Sequence, residues 1–553
     1  MAKTKRKVTK RGRSSPSEGV RARWLVVLAL LVIICVAEGI RIRLLDMPLE
    51  RDEGEYAYAG QLMLQGIPPY KLAYNMKLPG TYAAYAVIIA VFGQTIRGIH
   101  LGLVVVNAAT ILLIYSLGRT LFGRVCGLVA AATFAVLSLS PSVLGLAAHA
   151  THFVTLFGLA GLLALLRSDK TDRVIWFFVS GLLFGVAFVM KQPGVFLGIF
   201  GGLFVIWHEW HRRPRDVTAS GKRIVTFCVG AVLPFAITCI ILAAAGVFDA
   251  FRFWTFSYAR EYVSAPSLWQ GWLGFKQTAI GLWKAAPGIW LLIPVATVAG
   301  LLSKSHRTST LVSLLIFIAC LATVVPGFYF REHYFITVLP AVGLLLGAGM
   351  QTLCDRIGEQ RRSSLWIGAA AAVFIAACTQ VIVQRSALFF TLSPTEASRE
   401  VYKSNPFPES VEIGNYIREH SNSDARIAVI GSEPQIYFYS QRHSATGFIY
   451  MYPLMEEQKY ASNMQEQMIQ EVEQAKPDFV VFVSVKVSWL RQEKSDMHIV
   501  EWAEKYIGTS FDQVGLADIQ GKGQTVYRWG DKAVAAIPRA QNFVWIFKRR
   551  ELF

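Results

Sequence analysis

About eleven apolar runs, separated by short basic clusters, leave this chain few ways to fold. They cover residues 24–40, 99–117, 125–139, 153–166, 174–189, 196–207, 224–245, 288–302, 311–325, 334–350 and 365–383. Backbone in hydrocarbon must satisfy its own hydrogen bonds, so such runs become the helices of a membrane bundle. A hydrophobic content of 54% against 17% charged residues excludes an ordinary soluble protein. The net charge of +18 does not point to nucleic acid. Lys and Arg gather between the runs, as at Arg119 and Arg124, at Lys304 and Arg307, and at Arg356, Arg361 and Arg362. The positive-inside rule expects this of cytoplasmic loops. The alternation holds only if residues 81–92 do not span. At about 12 residues they fall short of the ~20 that a span needs, and read as an interfacial or re-entrant helix.

That parity puts one acidic stretch, Arg51-Asp52-Glu53-Gly54-Glu55, on the side opposite the basic clusters. Acids there suit the start of an amphipathic interfacial helix over 54–66. They also suit a general base and a ligand for a divalent metal. Lys77, Lys191 and Arg331 flank apolar segments on the same side, against the positive-inside trend. Either they snorkel at the interface or they bind a phosphate group at membrane depth. His149 and His152, spaced i, i+3, share a helix face and either ligate a metal or hydrogen-bond locally. Glu332-His333-Tyr334 is a further polar cluster, and Arg260 with Glu261 is a candidate ligand contact in the long loop 247–286. The aromatics of that loop, among them Phe251, Trp254, Phe256, Tyr258 and Tyr262, fit an interfacial belt.

Residues 1–23 carry nine Lys or Arg against Glu18, as a disordered cytoplasmic tail would. The first apolar run has no A-x-A-like cleavage site and reads as a retained anchor. None of the seven cysteines follows Cys378 and no C-x-x-C occurs, so neither a stapled tail nor a thiolate metal site is expected. After Arg385 the composition changes. Helices expected at 409–420, 455–474 and 498–507 alternate with buried strands at 426–431 and 478–483. The turn Gly431-Ser432-Glu433-Pro434 lacks the spacing of a dinucleotide-binding loop. The fold class is therefore mostly α: a polytopic bundle of about eleven spans over 24–385, then an extracytoplasmic α/β domain over 386–553. The charges sit at helix ends rather than mid-helix, and no internal repeat occurs. That favours an enzyme over the alternative, a transporter or flippase of a lipid-linked substrate.

Asp52-Glu53 after the first helix, then Tyr56-Ala57, Gly66, Tyr70, Lys77-Leu78-Pro79-Gly80 and Phe92-Gly93, resembles the first external loop of GT-C-fold glycosyltransferases. The likeness is to family 39 and a related bacterial group: protein O-mannosyltransferases, the lipid A aminoarabinose transferase and Rgt-type transferases. Arg119 to Arg124, Lys191-Gln-Pro-Gly194 and His333 to Pro340 look like further landmarks. The resemblance covers roughly 24–385. It implies a bacterial inner-membrane enzyme that takes a monosaccharide from a polyprenyl-phosphate donor and transfers it, with inversion, on the external face. The acceptor would be a lipid, glycan or protein. On that resemblance Asp52 is the base and Glu53 its support or a metal ligand. Lys77 contacts the donor phosphate, with Lys191 and Arg331 as further contacts. Metal use varies among such relatives, so a divalent cofactor stays open. Members often carry a second acid in the next outer loop, where this chain has His149 and His152 instead.

Overall fold

The computed structural model describes residues 16–212, 214, 216–357, 363–520 and 524–550. Of the expected basic tail, residues 1–15 lie outside the described residues, as do Arg361 and Arg362. Each of the eleven apolar runs forms a helix. Among the described residues six helices are long and apolar enough to cross a membrane: Arg23–Arg43, Ile96–Leu121, Ala150–Ser168, Gln192–His211, Val217–Ala244 and Ser364–Gln384. A seventh crossing arises if Leu268–Ala285 and Pro287–Leu301, bent by 97° at their junction, count as one. The remaining runs form shorter helices. The last but one begins later than its apolar run, because 332–337 winds as a tight 3₁₀ turn and the regular helix starts at Leu339.

The acidic stretch opens the helix Arg51–Leu64. Glu50 caps it: its carboxylate accepts from the Glu53 N–H at 2.9 Å, and the Glu53 carboxylate accepts from the Glu50 N–H at 3.1 Å. Acids in the first turn also face the positive end of the helix dipole. This helix does not lie on the surface as an amphipathic interfacial helix would. Every residue from Glu53 to Leu62 is buried. Small residues explain the difference, because they let neighbours close on both sides. A Cβ on Gly60 would fall 2.9 Å from the backbone of Ala86, in the helix Gly80–Phe92. A Cβ on Gly54 would fall 2.7 Å from the Gln435 nitrogen, in the C-terminal domain. Gly54→Ala gains helix propensity of about 1 kcal/mol, yet it should lower stability by about 1–3 kcal/mol net of that gain, because the contact is backbone and cannot swing away. Thermal unfolding in detergent checks this, and a stabilised variant would show that the two parts do not press together there.

The C-terminal domain holds one sheet of six strands: β1 Arg426–Ile430, β2 His443–Ser444, β3 Phe479–Ser484, β4 Phe511–Ile519, β5 Thr525–Trp529 and β6 Asn542–Arg549. Their spatial order is β2-β1-β3-β6-β4-β5. β2, β1 and β3 run parallel, and the rest pair antiparallel. β1 and β3 are apolar runs buried between helices, as parallel strands usually are. The expected helices are present as Phe407–Glu419, Ala461–Ala475 and His498–Ser510. The antiparallel half, 511–549, had no expected counterpart.

Candidate active site

Asp52, in the first turn of its helix, lines a cavity of about 620 Å³ between the bundle and the sheet domain. Lys77, Lys191, Arg331, His333 and Tyr334 line the same cavity, so residues spread over 280 positions meet there. Lys77 reaches in from the loop after Pro68-Pro69. Its Nζ lies 2.8 Å from Asp52 Oδ1 and 2.5 Å from Glu55 Oε2. The other Glu55 oxygen accepts from the Tyr82 hydroxyl at 2.5 Å. Glu55 is fully buried and lies off the cavity wall; it anchors Lys77.

Glu53 is also fully buried and off the wall. Beyond its cap, it accepts from the Ala148 N–H at 2.6 Å and lies 3.2 Å from His100 Nε2. Its oxygens fasten the acidic helix to the loop before His149. Arg41 fastens that loop from the other side, donating to the Gly145 carbonyl at 2.6 Å and the Ser138 carbonyl at 3.0 Å. Glu53 thus sits behind the cavity wall and ties the acidic helix to that loop.

The histidine pairing differs from the sequence expectation. The helix starts at Ala150, so His149 is its N-cap residue with extended backbone and does not share a face with His152. His149 instead stacks on His333, with ring centroids 4.2 Å apart and planes 10° apart. Asp52 Oδ2 lies 3.8 Å from His149 Nδ1 and 3.9 Å from His333 Nε2. One ligand atom from each of these three residues lies within 4.8 Å of the others. Both ring nitrogens of His149 are buried without a hydrogen bond. Two imidazoles and a carboxylate form a donor set that suits a divalent ion such as zinc. His152 is buried outside this group.

Burial would raise the Asp52 carboxyl, but Lys77 overrides it and holds the group well below the usual carboxylate range. Burial pushes His149 down to about 4 and His333 well below its ordinary value. Both rings are neutral near pH 7, so Lys77 is the cation that keeps Asp52 ionised. Lys191 has no carboxylate within 4 Å among the described residues and rests 3.8 Å over the Tyr334 ring. Burial, with Lys77 and Arg331 nearby, lowers its pKa to about 7. An arriving phosphate would restore its proton. Its charge is held below that value and lost above it. If the charged form alone binds phosphate, donor affinity should fall about tenfold between pH 6 and pH 8. Lys191→Arg, which stays charged, should flatten that profile; an unchanged slope in donor binding would exclude Lys191 as its source.

Several wall residues carried no signal in the sequence. Tyr450 and Tyr452 come from the sheet domain, some 400 positions from Asp52. The Tyr450 hydroxyl donates to the Arg51 carbonyl at 3.1 Å and lies 3.4 Å from Asp52 Oδ1. Phe256, Tyr258 and Tyr262, expected in an interfacial belt, line the cavity as well, and Phe251 and Trp254 are buried. Tyr258 and Trp254 turn inward because the sheet domain covers them: Tyr258 donates to Glu456 at 2.6 Å, and Trp254 meets Phe448 edge-on at 5.9 Å, whereas Phe256 stays exposed. Arg260 is on the cavity wall, whereas Glu261 is not. Glu261 faces a second cavity and pairs with Lys459 at 2.8 Å.

Residues 77–238 match the family described as dolichyl-phosphate-mannose-protein mannosyltransferase. Undecaprenyl phosphate-alpha-4-amino-4-deoxy-L-arabinose arabinosyl transferases of Pseudomonas aeruginosa (strain UCBPP-PA14) and Pseudomonas paraeruginosa (strain DSM 24068 / PA7) are each 28% identical over 214 residues. That match covers 37% of this chain and 38% of those relatives' length. Among solved structures, ArnT from Cupriavidus metallidurans, bound to undecaprenyl phosphate, superposes with a TM-score of 0.56 at 16% identity, over 96% of this chain and 98% of its own. The oligosaccharyltransferase AglB from Archaeoglobus fulgidus gives 0.53 at 11% identity, over 94% of this chain and 75% of its own. Such low identity with near-complete coverage speaks to architecture: the chain has the GT-C fold, a membrane helix bundle capped by a small sheet domain.

Proposed function

We propose that this protein is a glycosyltransferase of the membrane. It moves a monosaccharide from a polyprenyl-phosphate donor to an acceptor in the cell envelope, with inversion at the anomeric carbon. The observation that carries this reading is one ionised carboxylate, Asp52, facing Lys77, Lys191 and Arg331 in one cavity at the junction of the bundle and the sheet domain. An inverting transfer needs a carboxylate to take the acceptor proton on the face opposite the leaving group. A lipid phosphate needs no strong acid to leave, but its developing charge needs cations. The arabinosyl transferase relatives and the undecaprenyl phosphate in ArnT support this donor class. Neither supports a flippase.

In this mechanism Lys191 and Arg331 hold the donor phosphate. Lys77 is shared by Asp52 and Glu55, so a phosphate that draws it away from Asp52 leaves that carboxylate more basic. Asp52 accepts the acceptor proton as the acceptor oxygen bonds to the anomeric carbon and the bond to phosphate breaks. Asp52, His149 and His333 would hold a divalent ion, which would supply a Lewis acid when bound. We place the basic clusters in the cytoplasm and the sheet domain outside a bacterial inner membrane, following the charge parity of the loops.

The test is release of polyprenyl phosphate from a panel of undecaprenyl-phosphate sugars by purified protein in liposomes, with crude envelope as acceptor and with or without chelator. Release dependent on protein supports the reading, and no release from any donor would overturn it. Loss of release on chelation, restored by zinc, would assign the three-residue cluster a metal.

A further inference from the structure

A second cavity of about 630 Å³ lies against the first and shares Tyr329, Glu456 and Gln492 with it. Its chemistry is different. The first is walled by aromatics, aliphatics and cations. The second presents three carboxylates, Glu261, Glu456 and Glu457, and no lysine or arginine lines it. Lys459, outside the lining, is tied to Glu261. The side-chain amides of Gln270, Gln458 and Gln492 add paired donors and acceptors. Phe328 and Tyr329 supply flat apolar faces, and Tyr329 is stacked on Tyr262 at 4.4 Å, which holds its ring in place. The outer wall, Glu456 to Gln458 and Gln492, belongs to the sheet domain, and the inner wall to the bundle.

Building on the transferase reading above, we propose that this second cavity is the acceptor pocket and that it takes an uncharged carbohydrate. Carboxylates and amides pair with adjacent sugar hydroxyls, and flat rings pack against the apolar face of a pyranose. With Glu261 already paired to Lys459, Glu457 and the ionised fraction of Glu456, with no lining cation beside them, disfavour a phosphorylated or otherwise anionic acceptor. Glu456 stands on the wall common to both cavities. Burial raises its pKa to about 7, so near neutral pH it both donates and accepts toward a hydroxyl. An acceptor seated in the second cavity directs a hydroxyl across that wall into the donor cavity.

The experiment follows label from a radiolabelled donor sugar. Envelope glycolipid is split by anion exchange into neutral and anionic fractions, with envelope protein as a third acceptor. We expect label in the neutral fraction. Label confined to the anionic fraction or to protein would overturn the proposal. Glu457→Lys and Gln270→Ala, at positions that line the second cavity alone, should raise the acceptor KM at least tenfold and leave donor binding and slow release of sugar to water unchanged. Glu457→Lys should also improve transfer to the anionic fraction. Unchanged acceptor KM in both variants would overturn the acceptor pocket while the transferase reading stands, and absence of release from every donor would overturn both.

Discussion

Replacing Asp52 with asparagine should lower turnover by about 10²–10⁴-fold, the range a positioned general base supplies. Asparagine keeps the shape and still accepts a hydrogen bond from Lys77, but it cannot take a proton. Donor binding should therefore persist while polyprenyl phosphate release stops. Both are measurable on one preparation, by donor binding and by product release at saturating donor. Glu55→Gln should act differently. It frees Lys77 from its fixed partner at 2.5 Å, so the effect falls on donor KM. Release by Asp52→Asn at the wild-type rate would move the base to Glu456, the other carboxylate on the cavity wall.

Removing the sheet domain should abolish turnover altogether. Tyr450, Tyr452, Glu456 and Gln492 are parts of the cavity, and with them gone Asp52 stands open to water. The docking itself rests on the residue next to Asp52. Arg51 donates to the Ser432 carbonyl at 2.5 Å, to Asn405 at 3.1 Å and to Glu433 at 2.9 Å. Glu433 is fully buried and its second oxygen accepts from Ser488 at 2.7 Å. Breaking a buried pair by removing one partner costs roughly 3–5 kcal/mol, because the other charge stays buried. Arg51→Ala should cost that much stability and turnover together, with faster hydrogen exchange across residues 51–64 as the local signature. A truncated bundle that still turns over donor at the wild-type rate would refute this account.

The frame of the molecule was legible because hydrocarbon imposes strict demands. Each apolar run became a helix, and the strands β1 and β3 stood out as apolar runs of strand length. Asp52, Lys77, Lys191 and Arg331 were legible as charges against the trend. Three things were not legible. β4 and β5 break their apolar residues into short stretches, so pairing across the sheet makes them strands, and β6, an apolar run from Phe543 to Phe547, follows a stretch with no helix to set it in an alternating pattern. Tyr450 and Tyr452 become part of the site through docking of a distant domain. His149 meets His333 and not His152, because a helix that begins one residue later puts its cap residue off the helix face. The turn at 431–434 stood out in sequence only for lacking a dinucleotide-binding spacing; folded, it holds Arg51, the neighbour of Asp52.

The position of β6 has a consequence for how such a chain comes to life. It comes last in sequence among the described strands, yet it sits between β3 and β4. Until it inserts, β3 and β4 are two separate open edges, and the loops that carry Glu433 and Tyr450 rest on half a sheet. The bundle can thus be fully inserted while the cavity beside Asp52 still lacks its outer wall.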